Sequence, residues 1–197
     1  MASLVYCYGP LSVEKNVFCK NFTSENKNYK LIDLLKIRKK HTGSIAVETK
    51  EKELELNNLI INNCSSLLIQ NKNIIVNGLF LNEKSRTSFI DFVKNYSKVN
   101  FKSIAIAFPV KSLPDLYESN KQEKMYKNVT FDHLRFQITN FTQASTLEEG
   151  DLLINKIENC EEEKIKINTK LWQEDRVIYC STFKKVSEYF KYATSFN

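Results

Sequence analysis

Long hydrophobic runs are missing from this sequence. No apolar stretch in its 197 residues approaches the roughly 18 to 20 needed to span a bilayer, and the start, Met1-Ala2-Ser3-Leu4, lacks the basic region and apolar core of a secretory leader. The expectation is a cytoplasmic protein with no membrane segment. Patterns that bind metals or build disulfide scaffolds are missing too. The five cysteines, Cys7, Cys19, Cys64, Cys160 and Cys180, are odd in number and widely spaced, without a CxxC pair, and His41 and His133 are the only histidines. No metal site is expected, and the cysteines read as buried reduced thiols, Cys7 and Cys64 foremost because they sit in apolar runs. The histidines read as surface or capping residues. Arginine is scarce: four of the 29 basic residues, the rest being lysine. Lysine meets phosphate as a mobile point charge, whereas arginine forks onto phosphates and bases, so this surface suits loose polyanion contact better than base reading.

What is present fits one globular unit. Hydrophobic residues make up 42% and charged residues 26% of the chain, enough to bury a sizeable core. The net charge of +6 is compatible with a nucleic-acid partner. There is no internal repeat and no low-complexity linker.

Along the chain, Leu4 to Tyr8 reads as a buried strand ending at Gly9-Pro10, followed by a helical pattern from Val13 to Phe22. Tyr29 to Leu35 reads as a short strand with Asp33 near its close, Lys36 to His41 as a basic turn, and Glu48 to Gln70 as a long helix. Ile74-Ile75-Val76 has the β-branched look of a buried parallel strand. A helix is expected over Ser85 to Tyr96, a strand over Ser103 to Phe108, helices over Leu113 to Met125 and Phe131 to Ile138, and a strand over Leu152 to Ile157. This alternation predicts an α/β fold with a parallel sheet covered by helices on both faces. The texture changes at Cys160, which divides the chain into a domain over 1–159 and a C-terminal extension over 160–197. The extension opens on an acidic run, Glu161 to Glu163, and ends in aromatics interleaved with lysines, a segment expected to pack on the domain or on a protein partner.

In a parallel α/β sheet, ligands gather at the carboxyl ends of the strands, and the first strand-to-helix turn is the phosphate site. Here that turn reads Gly9-Pro10-Leu11-Ser12-Val13-Glu14-Lys15-Asn16. Its spacing is that of the phosphate-binding P-loop, G-x-x-x-x-G-K-[ST], with Gly9 and Lys15 kept. Glu14 replaces the second glycine and adds bulk and negative charge where triphosphate would sit. Asn16 replaces the hydroxyl that coordinates magnesium, and a carboxamide is a poorer ligand. A loop so altered should reject ATP, and no cofactor is expected.

Over residues 1–159 the pattern resembles the kinase domain of polynucleotide 5′-kinases. In that family a strand reads into D-x-T-x-P-x-x-x-x-R; here Ile74-Ile75-Val76 runs into Asn77-Gly78 and on to Arg86, so the strand and the arginine survive while the acidic residue and the threonine are replaced. The family's lid helix carries R-N-x-x-R, and Tyr117 to Lys124 lacks both arginines. The family's closing segment, an aromatic residue and then P-T-x-x-E-G-F, is matched by Phe141-Thr142-Gln143-Ala144-Ser145-Thr146-Leu147-Glu148-Glu149-Gly150-Asp151, with Ala144 and Ser145 near the usual proline. The resemblance implies vestigial roles for Gly9, Lys15 and Asn16 in nucleotide binding, and for Lys15 and Asp33 as catalytic remnants, Asp33 standing near the general base. Phosphoryl transfer depends on neutralising charge on the transferred group, so these changes predict a pseudoenzyme.

Lys36, Arg38, Lys39 and Lys40 form the densest basic cluster, which the resemblance places at the cleft mouth; with Lys184 and Lys185 of the tail they are the expected RNA-binding residues. The function expected is therefore non-catalytic: binding RNA or a ribonucleoprotein, with a ribosome-bound translation-silencing (hibernation) factor as its concrete form. Two alternatives stand beside it, a divergent active 5′-OH polynucleotide kinase or nucleotide phosphotransferase, and a protein-interaction subunit of an RNA-processing complex docking through the aromatic tail.

Overall fold

The computed structural model describes residues 1–45, 49–108, 112–141, 152–155, 163–167 and 177–180. Its centre is β1 (Ala2–Tyr8), buried along its whole length. A strand inaccessible on both faces needs apolar side chains on both, and Leu-Val-Tyr-Cys-Tyr supplies them. β2 (Tyr29–Asp33), β3 (Asn73–Asn77), β4 (Phe101–Ala107) and β5 (Leu152–Asn155) run parallel to it, and β6 (Glu163–Ile167) and β7 (Val177–Cys180) add two antiparallel strands at one edge. The sheet order is β2-β3-β1-β4-β5-β6-β7. The parallel core is the one expected; the stretch after residue 160, read as an extension, contributes β6 and β7 to the same sheet.

Helices α3 (Lys50–Ile69) and α4 (Glu83–Ser97) cover one face. Leu56, Ile60, Cys64 and Leu68 of α3 and Phe89, Ile90 and Val93 of α4 pack against Leu4, Tyr6, Tyr8, Ile74 and Val76. α1 (Val13–Glu25) lies opposite, where Phe18 meets Phe108 edge to face and Phe22 meets Tyr29. A second, smaller core joins Leu11 of the first turn and Leu35 to α5 (Leu113–Lys121), a 3-10 turn at Lys124–Tyr126 and α6 (Phe131–Thr139) through Leu116, Tyr126, Val129 and Leu134.

One element departs from the sequence expectation. The basic turn of Lys36 to His41 is instead helix α2 (Leu34–Thr42). Asp33 caps it, accepting from the Lys36 amide, and Gly43 closes it in the left-handed region at φ 79°. Lys39, Lys40 and His41 fall in its last turn, where positive charge complements the helix dipole. Three consecutive basic residues hid the helical period, and the cap and terminal glycine were the available signals. His133 is a capping residue, as read: it pairs with Thr130 in a capping box at the start of α6. Cys7, Cys19 and Cys64 are free and buried. Among the described residues, no helix is long and apolar enough to cross a membrane, and no cluster of histidine, cysteine and acidic side chains forms a metal site.

Candidate functional site

The sheet brings Gly9, Asp33, Asn77 and Phe108 to neighbouring strand ends, with the Lys15-Asn16 turn of α1 above them. Gly9 is required by its surroundings. Its φ is 132°, and a Cβ there would lie 2.7 Å from the carbonyl oxygen of Phe108. The loop's hydrogen-bonding groups are turned inward. The Gly9 amide donates to Leu79 O (2.9 Å), and Ser12 caps α1 by accepting from the Lys15 amide (3.1 Å). Leu11 is held at both ends by α5 and α6: its amide donates to Gln137 Oε1 (2.9 Å) and its carbonyl accepts from Asn120 Nδ2 (2.8 Å).

Lys15 is the centre of this closure. Its side chain is 1% exposed, and Nζ donates to Gly9 O and Gly78 O, each at 2.6 Å. The ammonium thus ties the first turn to the end of β3. Burial pushes its pKa down to about 8, against partial support from Cys19, Cys7 and Asp33. Cys7, buried beside Cys19, is shifted the other way, well above the usual thiol range, because burial disfavours its thiolate.

A nucleoside triphosphate with magnesium is what the loop's resemblance implies, and the residues present do not fit that pair. Asn16 and Asn77 occupy the hydroxyl and acidic positions, both are 1% exposed, and neither carboxamide has a hydrogen-bond partner. Two neutral amides supply none of the negative charge that draws in a divalent cation. Asp33, the candidate base, is 5% exposed; one carboxylate oxygen caps α2 and the other lies 3.7 Å from Lys36 Nζ. Oδ1 is accounted for by the helix it starts, and Oδ2 is buried with no hydrogen-bond partner.

The basic cluster resolves into two kinds of residue. Arg38 forms a bidentate ion pair with Glu53 of α3, with Nη2–Oε2 at 3.0 Å, and is only 17% exposed. Its charge is spent on holding α2 against α3. Lys36, Lys39 and Lys40 are exposed. His41 lies 4.0 Å from Glu55. Lys184 and Lys185 lie outside the described residues, as does the closing segment from Ala144 to Asp151. Beside α2 runs a groove of about 530 Å³ between α2, α3 and α4.

Sequence reasoning did not find two of the residues that shape the cleft, and gave a third no structural role. Asn120 and Gln137 reach Leu11 across 109 and 126 positions, a separation that leaves no local signal. Arg86 was noted only as a survivor of the family motif. It is fully buried, donates to Phe80 O (3.1 Å) and stacks over the Tyr8 ring at 4.7 Å.

No protein-family model and no curated protein matches this sequence. Solved structures do. A kinase-like protein from Chloroflexus aurantiacus superposes with a TM-score of 0.64 at 10% identity, covering 98% of this chain and 96% of that one. Kti12 from Chaetomium thermophilum, solved with ADP-AlF3, gives 0.55 at 11% identity over 94% and 97%. A chain of the Pnkp1/Rnl/Hen1 RNA repair complex gives 0.60 at 13% identity over 71% of this chain, which spans only 43% of that one. At such identities the likeness speaks to architecture, and the architecture of this chain is that of the P-loop kinases.

Proposed function

We propose that this protein is a non-catalytic relative of the polynucleotide kinases that binds RNA or a ribonucleoprotein, in the manner of a ribosome-bound silencing factor. The observation that carries the reading is the internal position of Lys15, which is 1% exposed and whose ammonium donates to two backbone carbonyls of its own chain. Neutral Asn16 and Asn77 at the two metal positions support it. So does Asn120, which donates to Leu11 O from the segment where the family places phosphate-binding arginines. With transfer chemistry gone, the exposed charge of α2 is the feature left to meet a partner, and Lys36, Lys39 and Lys40 are assigned to phosphate contact. Similarity to a chain from an RNA repair complex favours RNA over other polyanions.

The test is sedimentation of native extract through a density gradient, with and without ribonuclease and at two salt concentrations. The protein is expected to travel with a large RNA assembly, to leave it in high salt, and to run free when Lys36, Lys39 and Lys40 are all changed to Glu. A wild-type protein that runs at its own mass of 23.0 kDa in low salt overturns the reading.

A further inference from the structure

The groove between α2, α3 and α4 has a lining that core packing does not explain. Phe92 and Tyr96 stand one helical turn apart on α4 and are 51% and 54% exposed, and Leu54 of α3 faces the same groove at 63%. Large side chains left half in water, side by side, mark a surface that meets something. The groove offers no free charge: its guanidinium, Arg38, is paired with Glu53, and Asn57, Asn58 and Asn82 contribute neutral carboxamides. Such a lining suits an uncharged stripe of rings.

The chain carries a stripe of that kind in residues 181–197, which lie outside the described residues. Tyr189, Tyr192, Ala193 and Phe196 recur at i, i+3, i+4 and i+7, the spacing of one helix face, while Lys184, Glu188, Lys191 and Ser195 recur on the opposite one. A helix this short is marginal in water and needs a surface for its apolar side. The described chain ends within reach of one. β6 is antiparallel to β5 and β7 to β6, so β7 points the same way as β3, and Cys180 ends it at the same end of the sheet as Leu79 and Asn82, which follow β3 and line the groove. Five strand spacings separate β7 from β3, about 24 Å at roughly 4.8 Å each. The chain from Cys180 to Tyr189 spans about 30 Å when extended, at roughly 3.3 Å per residue.

We propose that the groove is the docking site of the chain's own residues 189–196, bound as an amphipathic helix with its aromatic stripe against Leu54, Phe92 and Tyr96. An apolar helix face laid into a hydrophobic groove is read through anchors at this spacing. Tyr189 and Tyr192 bring rings for the lining and hydroxyls for its carboxamides. The tether makes the contact intramolecular, with an effective concentration in the millimolar range, so a modest apolar contact suffices. The inference is independent of the RNA reading, since it uses none of the α2 lysines.

The test is disulfide trapping in the full-length protein with Cys160 and Cys180 changed to Ser; Cys7, Cys19 and Cys64 are buried and are kept. Asn58→Cys at the groove is paired with Ala193→Cys, which leaves every ring of the stripe in place. The control pairs Ala193→Cys with Val17→Cys, Val17 being 43% exposed on α1, across the sheet from the groove. Under mild oxidation with copper phenanthroline, the groove pair is expected to give a cross-linked monomer about ten-fold or more faster than the control. Equal rates for the two pairs overturn the proposal. A cross-linked dimer overturns it as well, because a second copy then supplies the occupant. A measurement that keeps all native cysteines stands beside it: changing Tyr189, Tyr192 and Phe196 together to Ser is expected to raise the fluorescence of an apolar anilinonaphthalene dye about two-fold or more, and adding Phe92→Ser and Tyr96→Ser is expected to abolish the rise. Dye binding equal to that of wild type in the triple variant overturns the proposal.

Discussion

The strand-end cleft and the α2–α4 face sit side by side and are built on opposite principles. In the cleft, Lys15 is buried and turned on two carbonyls, Asn120 and Gln137 on Leu11, and Arg86 on Phe80 O, while the Asn16 and Asn77 carboxamides are buried without partners. On the face, lysines and aromatics are left in water. A catalytic P-loop must keep its amides and its lysine available for phosphate. Here Lys15 donates to two carbonyls of its own chain, and on the proposed reading the contact with a partner lies on the neighbouring surface. The two regions should therefore respond differently to substitution: cleft residues should act on stability, face residues on binding.

The largest effect is expected from Arg86→Ala. Removing a fully buried cation leaves Phe80 O without this donor and opens a space beside Tyr8. A cost of about 4 kcal/mol is expected, read as a fall of roughly 10 °C or more in melting temperature. Gly9→Ala comes next, at about 3 kcal/mol, because the added Cβ meets the Phe108 carbonyl and must hold a φ of 132°. An unchanged melting temperature in either variant breaks the claim that the cleft is structural.

Lys15 gives a pH signature of similar size. Its pKa is lowered from 10.5 to about 8 in the folded protein, so between those values the unfolded chain binds more protons and stability rises with pH. Taken over that window the gain is about 3 kcal/mol. Cys7 and Cys64, raised by burial, act in the opposite sense, losing stability as pH climbs past the pKa of an unfolded thiol. The measurement is therefore a comparison of denaturant midpoints from pH 7 to 10 between wild type and Lys15→Met. Wild type should gain relative to the variant as pH rises, and parallel curves would show that burial does not lower the pKa of Lys15.

Smaller still is Asn120→Ala, which leaves the buried Leu11 carbonyl without this lid donor and should cost about 1 to 2 kcal/mol in thermal unfolding. Smallest on stability is Lys39→Glu with Lys40→Glu, expected to stay within about 0.5 kcal/mol of wild type while RNA association falls and its salt slope flattens. If that pair melts the protein but spares binding, the division between cleft and face is reversed.

Much of this was legible in the sequence because the sheet is made of short, strongly apolar strands. Ile74-Ile75-Val76 has one reading, and Gly9-Pro10 ends β1 where a turn must be. The loop's identity and its altered positions, Glu14 and Asn16, were visible as well, since a motif of fixed spacing needs no tertiary knowledge. The direction of Lys15 was not: a lysine at a motif position reads the same whether it faces ligand or backbone. Nor was the division within the basic cluster, because Arg38 is neutralised by Glu53, 15 residues away on another helix. Helix α2 was obscured by its own charge, although Asp33 and Gly43 marked its ends.

The central claim is that the cleft performs no phosphoryl transfer and that Lys15 is a structural residue. The direct test is transfer of labelled γ-phosphate from ATP to a 5′-hydroxyl RNA oligonucleotide in the presence of magnesium. The account predicts no transfer above the buffer control, the same for wild type and Lys15→Ala. Transfer by wild type that disappears in Lys15→Ala would contradict it and show a working kinase in this cleft.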